Sequence, residues 1–186
     1  CLVLGDNLFW GAGFVDLLER ASRRTAGATI FAYKVENPSS FGIIEFNDEM
    51  KPISIEEKPQ SPKSNYAITG LYFYDNSVVD IAANVVPSSR GELEISSINS
   101  IYLREKSLYC ELLGRGHAWL DTGTHESLLA SAQFVETVQK RQGYKIACLE
   151  EIAYNNGWIS FDELMQSGEA MSNNCYGQYL LNLSES

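Results

Sequence analysis

The stretch Cys1-Leu2-Val3-Leu4-Gly5-Asp6-Asn7 (CLVLGDN, residues 1–7) decides the fold class. Its continuous apolar run reads as a buried parallel strand. Gly5-Asp6-Asn7 then turns, and Phe14, Leu17, Leu18 and Ala21 fall on one helical face that stops near Gly27. Strand, turn and helix in that order are the signature of an α/β domain. Natural domains seldom begin inside a central strand, so the chain is expected to be a fragment whose sheet continues into residues before Cys1.

Further along, Ala28 to Val35 returns to strand character, and Phe41 to Phe46, a turn at Asn47-Asp48 and Met50 to Ile55 predict a hairpin. Pro59 and Pro62 bracket a loop. Asn65 to Tyr74 is a rich strand candidate, followed by helices around Val78–Val85 and Leu93–Arg104 and a strand at Leu108–Leu113. From Thr124, a plausible N-cap, a long helix runs to about Gln142, with Leu128, Leu129, Ala132, Val135 and Val138 as its buried stripe. Ser160-Phe161-Asp162-Glu163 fits a capping box for a short helix, and the apolar tail Tyr176–Leu183 is expected to dock. Ile152, Trp158, Ile159 and Phe161 suit either a packed core or a subunit contact. There is no internal repeat and no linker long enough to separate independent domains.

With 186 residues, 45% of them hydrophobic and 20% charged, the chain can bury one core without disulfides or a metal. Fourteen basic against 24 acidic residues leave a net charge of −10, which argues against gripping nucleic-acid polymers or an anionic membrane by general electrostatics. Any bound phosphate is held locally. No stretch approaches the roughly 20 apolar residues of a membrane span, and no signal peptide is evident, so a soluble, cytoplasmic protein is expected. Cys1, Cys110, Cys148 and Cys175 form no CxxC pair and have no histidine at ligand spacing, so they read as free buried thiols. His117 and His125 are too far apart for an i,i+4 metal pair, and there is no nucleophile elbow.

Four places carry candidate chemistry. Asp6 stands where a strand gives way to its loop, where open α/β sheets hold ligands; it suits Mg²⁺, and equally a solvated turn aspartate. Asp121 in Trp119-Leu120-Asp121-Thr122-Gly123-Thr124 has the same grammar. The two acids suit one shared hard cation, or are unrelated turn residues. Glu57 and Lys58 sit side by side before Pro59, which is expected to hold Lys58 in extended geometry. A bend there lets Glu57 accept sugar hydroxyls while Lys58 meets a phosphate, the alternative being an ordinary surface pair. Arg90, ahead of a helix start, suits a phosphate, while the acids around it suit the helix dipole.

Taken as a series, LGDN, FGIIEF, EEKP, NYAITGLYFYD, RGELEI, GRGHAWLDTGTHESL and YGQYL resemble the bacterial glucose-1-phosphate thymidylyltransferases, members of the sugar nucleotidyltransferase family. The resemblance runs in order over essentially the whole chain. It implies a Rossmann-like mixed, mostly parallel sheet flanked by helices, with a helical C-terminal region and the N-terminal part of the sheet missing. It further implies Mg²⁺-dependent joining of a sugar 1-phosphate to the thymidylyl group of a nucleoside triphosphate. The products are dTDP-glucose, a precursor of dTDP-rhamnose and surface polysaccharide, and pyrophosphate. By the same resemblance Asp6 and Asp121 hold the metal, Lys58 meets the sugar phosphate, and Asn7, Gly42, Glu57 and Ile68 contact the sugar nucleotide. Tyr72, Arg90 and Trp119 match further pocket positions, and Arg115 matches a region of end-product inhibition.

Residues 1–142 are then the sugar-phosphate and metal-binding part. Residues 143–186 are a helical region packed on it or at a subunit contact of a homotetramer. The chain departs from the family in lacking the Gly-rich triphosphate loop with its following Arg-Leu and Pro. Phe41 also stands where the family commonly has tyrosine. The chain is therefore expected to be inactive alone. Two alternatives are a non-catalytic sugar-phosphate-binding or assembly module, and a sibling enzyme using uridine or cytidine triphosphate.

Overall fold

A computed structural model describes residues 1–88 and 90–183. It divides into two compact units, residues 1–123 and 124–186. The long helix therefore groups with the C-terminal helices.

The first unit is built on a six-stranded mixed sheet of β1 (Leu2–Val3), β3 (Ala28–Lys34), β4 (Gly42–Phe46), β5 (Pro52–Glu57), β6 (Tyr66–Tyr74) and β7 (Leu108–Leu113). The order is β5-β4-β6-β3-β7, with β1 also on β6. A separate ribbon pairs β2 (Asn7–Gly11) with β8 (His117–Asp121). Strands and hairpin fall close to where periodicity places them, because their apolar residues are contiguous and β-branched or aromatic. One side chain set of β3 and β6, including Ile30, Ala32, Ile68 and Tyr72, packs with α2 (Val78–Ala83) and α3 (Ile95–Arg104). The other set, Phe31 and Leu71, packs with Leu17 and Ala21 of α1 (Phe14–Ser22) and with Phe9 and Trp119 of the ribbon. This is the expected mixed α/β architecture. The sheet is mixed but not mostly parallel as expected: among the described strands only β3–β7 pairs in parallel, while the hairpin and the β1, β3 and β4 pairings to β6 are antiparallel.

The opening run departs from its reading as a buried parallel strand. β1 is two residues long, antiparallel to β6, and Leu2 and Val3 are 43% and 55% exposed. An apolar run marks a segment fit for burial, but only neighbouring strands can bury it.

The second unit holds α4 (His125–Gln142), α5 (Leu149–Asn155), α6 (Phe161–Ala170) and α7 (Cys175–Leu181). Thr124 caps α4 and Ser160 caps α6, each in a capping box. The short helices close on Cys148, Leu164 and Leu180, with Ile159 and Phe161 packed alongside and Trp158 left exposed. The predicted α4 stripe is not buried: Leu128 and Leu129 are 53% and 61% exposed, and Ser131 is the buried residue of that helix. Ala132 is exposed as well, Val135 and Val138 are half-buried, and the short helices enclose their own core.

The cysteines are free, as expected, but Cys1 and Cys175 are exposed; Cys148 is buried and Cys110 half-buried. Burial, with Glu111 adjacent, pushes the Cys110 thiol up to about 12, an inert state. No helix is long and apolar enough to cross a membrane among the described residues.

Candidate active site

The ribbon is what builds the site. Its register places Asn7 opposite Asp121 and Phe9 opposite Trp119, so residues far apart in the chain become cross-strand neighbours. The backbone oxygen of Asp6 accepts both the amide and the hydroxyl of Thr122, at 2.7 and 3.0 Å. The two turn acids thus flank one strand end. Sequence reading took Gly5-Asp6-Asn7 as a turn and missed the strand that follows. The aromatic-rich segments Asn7–Gly11 and His117–Asp121 carry the available signal for it.

Asn7 is the hub. Its Oδ1 accepts from the Gly70 amide at 3.0 Å and from Trp119 Nε1 at 2.6 Å, while its Nδ2 donates to Asp6 Oδ1 at 2.8 Å. This approach needs glycine at residue 70, because a Cβ there would lie 2.7 Å from the Asn7 amide. The side chain thereby ties β2, β6 and β8 together and steadies the Asp6 carboxylate.

The Glu57–Lys58 pair solves its geometry by a backbone device that differs from the extended one expected. Lys58 has φ of 42°, in the left-handed region. Its amide still donates to the Phe41 carbonyl at 3.1 Å, so the hairpin ladder reaches it. In a regular strand consecutive side chains face opposite sides. The kink after β5 instead lets Glu57 and Lys58 border the same cavity. Across the hairpin Gly42 pairs with Glu57, and a Cβ on Gly42 would lie 3.0 Å from Glu57 Oε2. Glycine leaves that carboxylate its place.

These groups line one cavity of about 210 Å³ in the first unit. Asp6, Asn7, Asp121 and Trp119 come from the ribbon region. Gly42, Glu57 and Lys58 come from the hairpin, and Ile68, Gly70 and Tyr72 from one face of β6. Phe41 lies against Trp119 with ring centroids 5.1 Å apart, forming an apolar wall. Burial above all, with Glu57 and then Asp6 nearby, pushes the Tyr72 hydroxyl up, so it stays protonated.

Two residues singled out from sequence lie elsewhere. Arg90 is outside the cavity lining, its guanidinium paired with Glu92 and Glu94 at 3.2 Å each. Arg115 borders a different cavity, with Tyr33, Lys34 and Tyr66. Sequence reading missed Ser96 and Asn99 of α3, which also line the first cavity. Their signal was only that two polar residues share the inward face of a short amphipathic helix.

The donor set fits a hard divalent cation. Asp6 and Asp121 are carboxylates on one cavity, and neither lies in an ion pair with a basic side chain among the described residues. Mg²⁺ takes one or two protein carboxylates and completes its shell from water and phosphate. No group of three or more His, Cys, Asp or Glu with metal-holding geometry occurs among the described residues.

Comparison with known proteins identifies the family. A Neisseria meningitidis serogroup A protein named glucose-1-phosphate thymidylyltransferase is 58% identical over 183 residues, covering 98% of this chain and 64% of that protein. Proteins of the same name from Xanthomonas campestris pv. campestris and Mycobacterium tuberculosis are 52% and 51% identical, with 100% and 99% of this chain and 63% and 64% of theirs covered. The chain thus spans less than two thirds of the length of these relatives. A crystal structure from Bacillus anthracis, described as a glucose-1-phosphate thymidylyltransferase in complex with sucrose, superposes with a TM-score of 0.61 at 38% identity. That match covers 71% of this chain and 52% of that one. Residues 1–138, which contain every residue of the cavity, match the family described as Nucleotidyl transferase, and the chain belongs to that family.

Proposed function

We propose that this chain carries the sugar-phosphate and metal-binding part of a glucose-1-phosphate thymidylyltransferase, which transfers a thymidylyl group from thymidine triphosphate to glucose 1-phosphate. The convergence of Asp6, Asp121, Glu57 and Lys58 on one cavity carries the reading. At about 210 Å³ the cavity is below the roughly 300–1,000 Å³ of sites for drug-sized ligands, a scale suited to a monosaccharide phosphate. Lys58 supplies a cation for the phosphate and Glu57 an acceptor for sugar hydroxyls. Phe41 and Trp119 offer an apolar face to the ring, and Tyr72 stays a neutral donor. Ile68 and Gly42 shape the wall, and Asn7 keeps Asp6 in place.

In the reaction an oxygen of the sugar phosphate attacks the α-phosphorus in line, and the bond to the β-phosphate breaks to release pyrophosphate. The protein's share is orientation and charge. Mg²⁺, held by Asp6 and Asp121, would neutralise charge on the nucleotide phosphates. Arg90 would join the phosphates after leaving its glutamate partners, and Arg115 would serve end-product control at its separate cavity. In this proposal residues 1–142 serve the reaction. Residues 143–186, with Leu149, Ile152 and Trp158 exposed, assist assembly into a cytoplasmic homotetramer. These 186 residues contain no Gly-rich triphosphate loop, so by themselves they bind sugar phosphate without turning over.

Calorimetric titration of the chain with glucose 1-phosphate tests the reading. Saturable binding is expected, weakened at least tenfold in Lys58→Asn, which removes the cation while suiting the left-handed backbone. Absence of saturable binding, or an unaltered Lys58→Asn, overturns it.

A further inference from the structure

Asn99 is a polar group in the cavity wall that the proposed reaction leaves unused. It lies one turn into α3, three residues after Ser96, so both side chains share one helix face and both border the cavity. The Asn99 side chain is fully buried. Its Oδ1 accepts a hydrogen bond from the Tyr74 hydroxyl at 2.7 Å, whereas Nδ2 has no partner among the described residues. Folded proteins keep few buried donors without acceptors, because each forfeits its hydration.

Tyr74 holds the amide from behind. Its ring stacks between Tyr72 and Tyr102, with centroids 5.8 and 5.7 Å away. Burial, then the neighbouring Tyr72 and Tyr102, push its hydroxyl up, so it remains a donor. With Oδ1 taken by that donor, Nδ2 is the end of the amide still without a partner, in a residue that borders the cavity. Glu57 brings carboxylate oxygens, which are acceptors, to the same cavity. One fixed donor and one fixed acceptor match hydroxyl groups, which both accept and donate. An isolated phosphate would suit the donor and be repelled by Glu57.

We infer that Asn99 Nδ2 reads one hydroxyl of the bound hexose and is a specificity-determining residue, with Tyr74 as the positioning residue that holds its amide. The inference rests on the sugar-phosphate reading of the cavity. It explains why the second turn of α3 places a buried amide where an apolar residue would pack without penalty.

The test is a set of dissociation constants for glucose 1-phosphate and its 2-, 3-, 4- and 6-deoxy analogues. They are measured by calorimetry on the wild-type chain, Asn99→Leu and Tyr74→Phe. In the wild type one analogue is expected to bind about 3- to 10-fold more weakly than glucose 1-phosphate through loss of this hydrogen bond. In Asn99→Leu that particular ratio collapses towards one while the other analogues keep theirs. Tyr74→Phe preserves the ring stack and does not border the cavity, so it keeps the test available if Asn99→Leu does not fold. It too should shrink the same ratio. Equal weakening of all five ligands in both variants, or an unchanged ratio, overturns the inference while leaving the sugar site intact. No saturable binding to the wild-type chain overturns the site reading and this inference with it.

Discussion

Replacing Gly70 by alanine probes the closest packing at the site. The added Cβ would lie 2.7 Å from Asn7 Cγ and Nδ2 and 2.8 Å from Oδ1. Asn7 cannot simply swing aside, because Gly70 N and Trp119 Nε1 both donate to its Oδ1 and its Nδ2 donates to Asp6. Each neutral hydrogen bond contributes about 0.5–1.5 kcal/mol, and overpacking costs about 1–3 kcal/mol. Against this, alanine restricts the unfolded chain, offsetting about 0.4–1 kcal/mol. The net expectation is a loss of about 1–3 kcal/mol. With a urea slope of about 2 kcal/mol/M, the midpoint falls by about 0.5–1.5 M. Trp119 reports the transition directly, since its indole N–H is bonded to Asn7; its NMR resonance is followed separately from those of Trp10 on the same ribbon and Trp158 in the second unit. In an Asn7→Gly background there is nothing to collide with, so the penalty of Gly70→Ala should vanish. A midpoint unchanged by Gly70→Ala, or an equal penalty in both backgrounds, refutes the clamp.

Lys58→Val should destabilise the fold by about 1–2 kcal/mol through its left-handed backbone, while Lys58→Asn should not; equal thermal midpoints for the two would remove the strain argument. Hydrogen bonds to Asp75 from the Ser77 side chain, the Gly27 amide and the Tyr102 hydroxyl hold its carboxyl below the usual range. Its contribution is therefore fully present above the ordinary carboxylate pKa and is lost as pH falls through the lowered value. Asp75→Asn should lower stability at pH 7 and flatten the acid limb of the stability profile; parallel profiles for the two proteins would contradict this. Asp121→Asn should abolish any Mg²⁺-dependent rise in thermal midpoint; an undiminished rise would remove Asp121 from the metal site.

How much was legible in the sequence follows from the range over which each feature is decided. β6 and β7 are contiguous apolar runs, and the cap at Ser160 is a four-residue pattern, so local reading reaches them. The two acids were identified as candidates by the resemblance and by their strand-end setting, but their adjacency depends on a ribbon pairing residues 7–11 with 117–121, which no local window contains. The kink at Lys58 was hidden for another reason. A residue before proline ordinarily prefers extended geometry, and here the hairpin ladder and a buried Pro59 override that preference. Leu128 and Leu129 show the opposite limit: periodicity marks a face fit for burial without naming what covers it. Asn99 escaped because a buried asparagine on a helix has no sequence pattern of its own.

The β2–β8 ribbon also sets when the site comes into being. Its partners close a loop of more than a hundred residues, the most distant pairing in the first unit. Loop-closure entropy grows with the logarithm of length, so this pairing is entropically the most demanding of that unit and is favoured only once the intervening sheet has shortened the effective loop. Binding competence is thus a late property of the folding chain. Heating or mild denaturant that frays the ribbon should erase ligand affinity while leaving the six-stranded sheet standing.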